Sequence, residues 1–507
     1  MSQSPSLSVA AKQQRAESPT RDSEGLFPLP LAPIEKYLVL DDRPECPMTS
    51  FIELHFAGPL QVNALANALH QTVHHHPLLA STLIEIDGHL HWQYDPNFVP
   101  ELRDPATDPI LLKSDLIDSD QPNPRPIDLY REPGCRYWYS ENDETGRSRL
   151  IIQLHHAACD GVGLRRVLID TLGSYAKTTD AVDHATGEAE SDETPRQIKK
   201  RKRDQLDPTR LLDRADFSEI QSKPLKKSLT GLQKLANAYY FHFQRPQPLV
   251  ADKATDKATD NSKHTDKDSD DQPLRHFIFD EPMSKRLLDC CRQNEISVND
   301  LMLTILFRVC QHWNRAQGIT KPNSRIRLLM PVDLRGRTDL QTPATNRLSF
   351  SFLGRTHKQC DDWQSLLASV QAETQDIKDT RVYMDFLEGL AALAGKPKSL
   401  ARAIRFSRNM STSVLTYTGD IARGMKSHFP EQDGRRKVGD SFLDNILIAP
   451  PARQHTNITL GICINWGQIC ISANWNRNEL TGQQCQQFLQ LYADATAEWL
   501  ATMELEQ

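Results

Sequence analysis

Two stretches near the middle of the chain, ATGEAESDETPRQIKKRKRDQ and DKATDKATDNSKHTDKDSDDQ, carry almost no apolar residues and constrain the fold more than any other feature. A segment that buries little apolar surface does not repay the entropy of ordering it. The core must therefore come from what lies on either side, in two blocks, and 507 residues leave ample chain for two packed units. The expected organisation is a disordered polar tail at 1–24, an N-terminal lobe at 25–180, a polar linker or insertion at 181–274, and a C-terminal lobe at 275–507.

Both blocks mix strand and helix signals. In the first, SFIELHFAG reads as a strand, and LQVNALANALHQTVHHHP places Leu60, Ala64, Leu65, Ala68 and Leu69 on one helical stripe that Pro77 ends. In the second, helices are expected in EPMSKRLLDCCRQNE and SVNDLMLTILFRVCQHWNRAQ, the latter capped by Ser297 or Asn299, and from Gly482 to Met503. Strands are expected at Ile326–Pro331, Arg347–Leu353, Val414–Tyr417, Ile446–Ala449, Ile458–Ile464 and Ile469–Trp475. The fold class is α+β.

Inside the polar middle, LTGLQKLANAYYFHF sets Leu229, Leu232, Leu235, Ala236, Tyr239 and Phe243 at helical spacing behind Lys223, Lys226 and Lys227. Two readings stand: a helix over 229–243 packed on its own protein, or peripheral membrane contact through 223–243. A net charge of −6 gives no electrostatic basis for nucleic-acid binding. The ten cysteines show no CxxC spacing and read as reduced thiols, which with the polar first 24 residues gives a cytoplasmic expectation. The longest apolar run near the middle, Leu301 to Phe307, is far short of the ~20 residues of a membrane span. His74 to His76 read as a polar helix end, because no carboxylate or cysteine flanks them at ligand spacing, and no metal is expected.

A histidine followed four places later by an aspartate occurs five times, at His91, His156, His264, His276 and His357, so the spacing alone discriminates nothing. Only the His156 copy is preceded by a second histidine, followed at once by a glycine, and led in by the apolar run Leu150-Ile151-Ile152-Gln153-Leu154. An imidazole where a strand opens into a loop projects from an anchored backbone, and its ordinary pKa of ~6.5 suits a general base for a hydroxyl or amine.

HHAACDG resembles the HHxxxDG signature of the condensation-domain and chloramphenicol-acetyltransferase-like acyltransferases. That superfamily includes wax ester synthase/diacylglycerol acyltransferases, polyketide-associated acyltransferases, BAHD acyltransferases and nonribosomal peptide synthetase condensation domains. Further segments resemble it in order and spacing over roughly 27–180 and 275–500: MTSFIELHFAGPLQVNALANALHQTVHHHPLLAST, SVNDLMLTILFRVC, MPVDLRGRTDLQTPATNRLSF and SVLTYTGDI. The resemblance implies two lobes of one type, each a mixed sheet flanked by helices, with an active-site tunnel between them. It implies His156 as general base supported by His155, Asp160 held by a salt bridge to Arg335, and Gly161 shaping the loop. Asn299, Asp300 and Asn346 match its second-lobe or tunnel motifs. It further implies an acyl thioester donor, on coenzyme A or an acyl carrier protein, an alcohol or amine acceptor, and no cofactor.

Three alternatives remain open at this stage. Cys159 sits inside the motif as a nucleophile or, among alanines, as a small filler. A metal shared by His155 and His156 is disfavoured because adjacent strand residues point to opposite faces. A catalytically silent protein binding a lipid, thioester or carrier protein would keep the same fold.

Overall fold

The computed structural model describes residues 25–113, 122–142, 144–186, 205–251, 272–406, 410–425, 428–432 and 435–505. The tail at 1–24 and residues 187–204 and 252–271 of the polar middle lie outside them.

An apolar run without alternation suits a strand covered on both faces. Leu150 to Leu154 forms the second half of the strand Arg147–His155, which is buried at every position from Leu150 onward. That strand pairs antiparallel with Thr49–Phe56 on one side and Cys135–Asn142 on the other, within a seven-stranded mixed sheet. The helices Val62–His75 and Gly161–Thr186 pack together beside it, contributing Leu65, Leu69 and Val73 from one and Leu164, Leu168 and Leu172 from the other to one core cluster. The His156 loop is the link between this sheet and the second of those helices.

The second sheet has six strands in the order Arg275–Ile278, Gln468–Trp475, Ile458–Asn465, Ser413–Asp420, Arg325–Asp333 and Leu348–Thr356. Ser413–Asp420 pairs parallel with both of its neighbours and the other pairings are antiparallel. The helices Val298–Ala316, Trp363–Thr380 and Gly482–Leu505 supply Leu303, Phe307, Leu366, Val370, Phe488 and Trp499 to a second core cluster. Each lobe is thus a mixed sheet flanked by helices.

Two features depart from the sequence reading. The strand Ser441–Ala449, expected among the second-lobe strands, joins the first sheet instead, with Leu447 opposite Glu53 and Ile448 opposite Ile52. Arg435–Val438 and Glu431–Gln432 follow it to that sheet's edge. Strand propensity does not say which sheet a strand joins. The crossing brings the sheets into contact: a Cβ on Gly461 would lie 1.8 Å from the Ile448 carbonyl oxygen, and Asn465 donates to the Ile446 carbonyl at 2.7 Å.

The other departure is the polar insertion. Residues 205–251, expected as linker around one helix, lie as a strap against both lobes. Arg214, 3% exposed, donates to both carboxylate oxygens of the fully buried Glu35, which also accepts from Trp92 Nε1 and the Ala32 amide. Arg347 donates to the carbonyls of Asp213 and Asp216, and Arg381 to those of Ile220 and Lys223. Farther along, Trp313, Asn314 and Asn457 donate to the carbonyls of Val250, Pro248 and Leu249. The strap is held by side chains satisfying its backbone, a mode of docking that leaves little apolar signal in its own sequence. Among the described residues no helix is long and apolar enough to cross a membrane.

Candidate active site

The strand Arg147–His155 hands its last residues to a turn tied down at every step. The His155 amide donates to Gly134 O, the His156 amide to Met48 O at 2.8 Å, and the Ala158 amide to His155 O. Asp160 then caps the helix Gly161–Thr186, its Oδ1 accepting from the Gly163 amide at 2.9 Å.

His156 is half-buried, and its Nδ1 lies 3.0 Å from the Cys159 carbonyl. A carbonyl only accepts, so Nδ1 carries the proton and the neutral ring keeps its lone pair on Nε2. Burial pulls the imidazole pKa below its ordinary value, against the Cys159 carbonyl and the Asp160 charge, which favour the cation. The ring is therefore an unprotonated base at neutral pH. His155 is turned to other work: it is 1% exposed, its Nδ1 accepts from the Ala157 amide, and its Nε2 faces Asp42 at 3.6 Å. It ties the turn to its own backbone and to Asp42. The Cys159 thiol is 1% exposed, donates to the Asp160 carbonyl, and is pushed well up in pKa by burial and then by the Asp160 charge. A neutral, enclosed thiol is a poor nucleophile.

The second lobe grips this turn through the loop at 334–347. Arg335 makes a two-pronged contact with Asp160, Nη1 to Oδ2 and Nη2 to Oδ1, both at 2.9 Å. The Arg347 amide gives Asp160 Oδ2 a further bond at 2.8 Å. Burial alone would raise the Asp160 pKa, but Arg335 and the two backbone amides carry it below the usual carboxylate range. The cation responds in kind: burial would lower the Arg335 pKa, and the Asp160 carboxylate outweighs it and raises it. Asn346 completes the grip by donating to the carbonyls of His156 (2.9 Å) and Ala157 (2.7 Å). His156 thus sits on a turn held at both ends by residues 175 to 190 positions away.

The steric demand for glycine falls on Gly163, and Gly161, the expected shaper of the loop, shows none. A Cβ on Gly163 would come within 2.7 Å of Cys159 Sγ and 3.2 Å of the Thr345 backbone, whereas one on Gly161 meets nothing within 4 Å. Gly163→Ala is expected to cost about 1–3 kcal/mol by overpacking, read as a lower melting temperature, and Gly161→Ala to cost nothing measurable. Equal melting temperatures for the two variants would contradict this packing.

Asn299 and Asp300 are not brought to the turn. They open the helix Val298–Ala316, for which Ser297 is the N-cap, and Asn299 Nδ2 reaches Asp300 and Met330 Sδ. Burial raises the Asp300 pKa against a hydrogen bond from Thr374. Sequence reasoning missed Arg347, whose amide holds Asp160 while its guanidinium holds the strap. It also missed that the strap's Glu219 and Lys223 line, with Arg335, Gly336 and Leu340, an open groove of about 620 Å³. Basic side chains spent on backbone carbonyls carry no motif.

No family model and no curated protein sequence matches the chain. Solved structures do. Polyketide synthase associated protein 5 from Mycobacterium tuberculosis aligns over 93% of this chain and 98% of its own, with a TM-score of 0.54 and 15% identity. The first condensation domain of the CDA synthetase aligns over 92% and 95%, with a TM-score of 0.54 and 15% identity. The chain has the two-lobed condensation-domain fold. The starter condensation domain of rhizomide synthetase, solved as a mutant with C8-CoA and Leu-SNAC, shares it over 95% and 96% of the two chains, with a TM-score of 0.55 and 13% identity. At such identities the likeness carries the condensation-domain architecture alone.

Proposed function

We propose that the protein is an acyltransferase that moves an acyl group from a thioester, on coenzyme A or on a carrier protein's phosphopantetheine arm, to a hydroxyl or amine acceptor. The observation that carries the reading is the His156 ring: Nδ1–H is committed to the Cys159 carbonyl and Nε2 is a free base, on a turn clamped between two lobes. Donor and acceptor enter a tunnel between the lobes from opposite faces. Nε2 takes the acceptor's proton as its oxygen or nitrogen attacks the thioester carbonyl. The carbon–sulfur bond then breaks, and the imidazolium returns the proton to the departing thiolate. The products are an ester or amide and a free thiol, and no acyl-enzyme forms. The enclosed, protonated Cys159 supports direct transfer.

Free-thiol release from octanoyl-coenzyme A and octanoyl-pantetheine, against a panel of primary alcohols and amines, tests this. Acceptor-dependent release is the expected result. Its absence across the panel, with the thioester nonetheless bound, would replace the enzyme with a binding protein of the same fold. The rate should rise with pH through a midpoint below ~6.5 and stay level through neutrality, because the active form is the neutral ring and its pKa is depressed. A rate falling with pH over that range would place a required acid where the base is assigned.

A further inference from the structure

The helix Gly231–Phe243 has no part in the chemistry above. Its apolar stripe is turned outward: Leu232, Leu235, Tyr239 and Phe243 are 80%, 68%, 57% and 74% exposed. The opposite side fixes that orientation. The buried Arg327 donates to the carbonyls of Tyr240 (2.8 Å) and Gln244 (2.6 Å), and the Phe241 ring packs on Phe352 with centroids 4.8 Å apart. Thr230 closes the N-terminus with a capping box. Rolling the helix to bury the stripe would break these bonds. Scattered exposed apolar side chains need no explanation, but four along one stripe of an anchored helix form an interaction surface.

Two stretches of the chain at this surface carry cations and no acids. There is no Asp or Glu between Glu219 and Asp252, nor between Glu388 and Asp420. The second of these stretches contains the helix Pro397–Phe406, which buries Leu400 and Ile404 and exposes Lys398, Arg402 and Arg405, with Lys396 exposed just before it. Arg327 joins the two segments, donating also to the Met410 carbonyl just beyond that helix. The Phe352 ring lies between Phe241 and Phe386, which is on the helix Tyr383–Ala394 that precedes the basic one. Arg245, Lys396, Lys398, Arg402 and Arg405 make no ion pair among the described residues. Glu219, Asp379 and Asp376 are already taken by Lys223, Lys226 and Lys227, leaving Asp385 and Glu388 as the exposed acids on the preceding helix.

We infer that this surface docks on an anionic lipid bilayer, the stripe entering the boundary between headgroups and acyl chains while the basic helix lies on the phosphates. A fixed apolar stripe beside uncompensated cations matches that surface in both respects. The inference does not depend on acyl transfer.

Flotation of the full chain with vesicles of phosphatidylcholine alone, and of phosphatidylcholine mixed with phosphatidylglycerol, tests it. Binding to the mixed vesicles is expected, weakening as salt is added. The Leu232→Ser/Leu235→Ser/Phe243→Ser variant should bind at least about tenfold more weakly, and so should Lys398→Glu/Arg402→Glu. All five side chains are exposed, and unchanged thermal melts would show that the fold persists. No binding by the wild type, or wild-type binding by the triple variant, overturns the proposal. So does a wild-type dimer in sedimentation that the triple variant dissolves while vesicles are ignored, which would make a second copy the occupant. Vesicle binding is read without substrate, so its failure leaves the acyl-transfer reading standing, and the converse holds.

Discussion

His156→Ala is expected to lower acceptor-dependent thiol release by about 10²- to 10⁴-fold, the usual cost of losing a general base, while its melting temperature stays close to that of the wild type. The asymmetry follows from the geometry. The His156 side chain is half-buried, and its hydrogen bond to the Cys159 carbonyl stays within its own turn. His155, fully buried and engaged at both nitrogens, has the opposite profile: His155→Ala should lose thermal stability first and activity less steeply. Two variants with the same activity loss and the same melting temperature would undo the assignment of the base. Wild-type turnover in His156→Ala would undo it outright.

Asp160→Ala and Arg335→Ala should each destabilise the fold by about 3–5 kcal/mol, because truncating one side of a buried pair strands the other charge. The pair is buried enough for that figure, at 2% and 10% side-chain exposure. Arg335 retains Asp333 and the Thr345 carbonyl when Asp160 is removed, so Asp160→Ala should fall toward the lower end unless the lost cap on Gly163 dominates. The double variant should be less destabilised than the sum of the singles, since no charge is then left alone. Strictly additive losses in chemical denaturation would contradict the pairing. The pH dependence has a fixed sign: the Asp160 pKa is depressed by folding, so the stability it lends is present above ~4 and is lost as pH falls through the folded-state value.

Much of this site was legible because it rests on a dense local pattern. A largely apolar strand end, two histidines and a capping aspartate identify the turn, and the match of VDLRGRTD to a second-lobe motif places Arg335 opposite Asp160 without any spatial information. Gly163 was visible as a letter, but its reason is a contact with Thr345, across the lobe boundary. The strap was illegible for a physical cause. Its buried anchor is Arg214 on Glu35, and many of its other bonds run from arginines to its carbonyls, so composition marks as linker what hydrogen bonding makes part of the body. The outward stripe of Gly231–Phe243 was half-legible: periodicity found the stripe, and only its surroundings tell which way it faces.

The crossing strand Ser441–Ala449 has a consequence for how the protein is made. Thr49–Phe56 is translated early, yet one of its two neighbours in the sheet is synthesised only when most of the chain already exists. Until then the nascent N-terminal half carries an open edge on a strand whose Phe51, Ile52 and Leu54 are fully buried in the finished protein. An unpaired apolar edge of this kind is a template for wrong partners. Expression of residues 1–180 alone would leave that edge permanently uncovered, so the segment that carries the histidine turn should aggregate when made without the rest, and co-expression of a fragment containing 435–449 should suppress the loss.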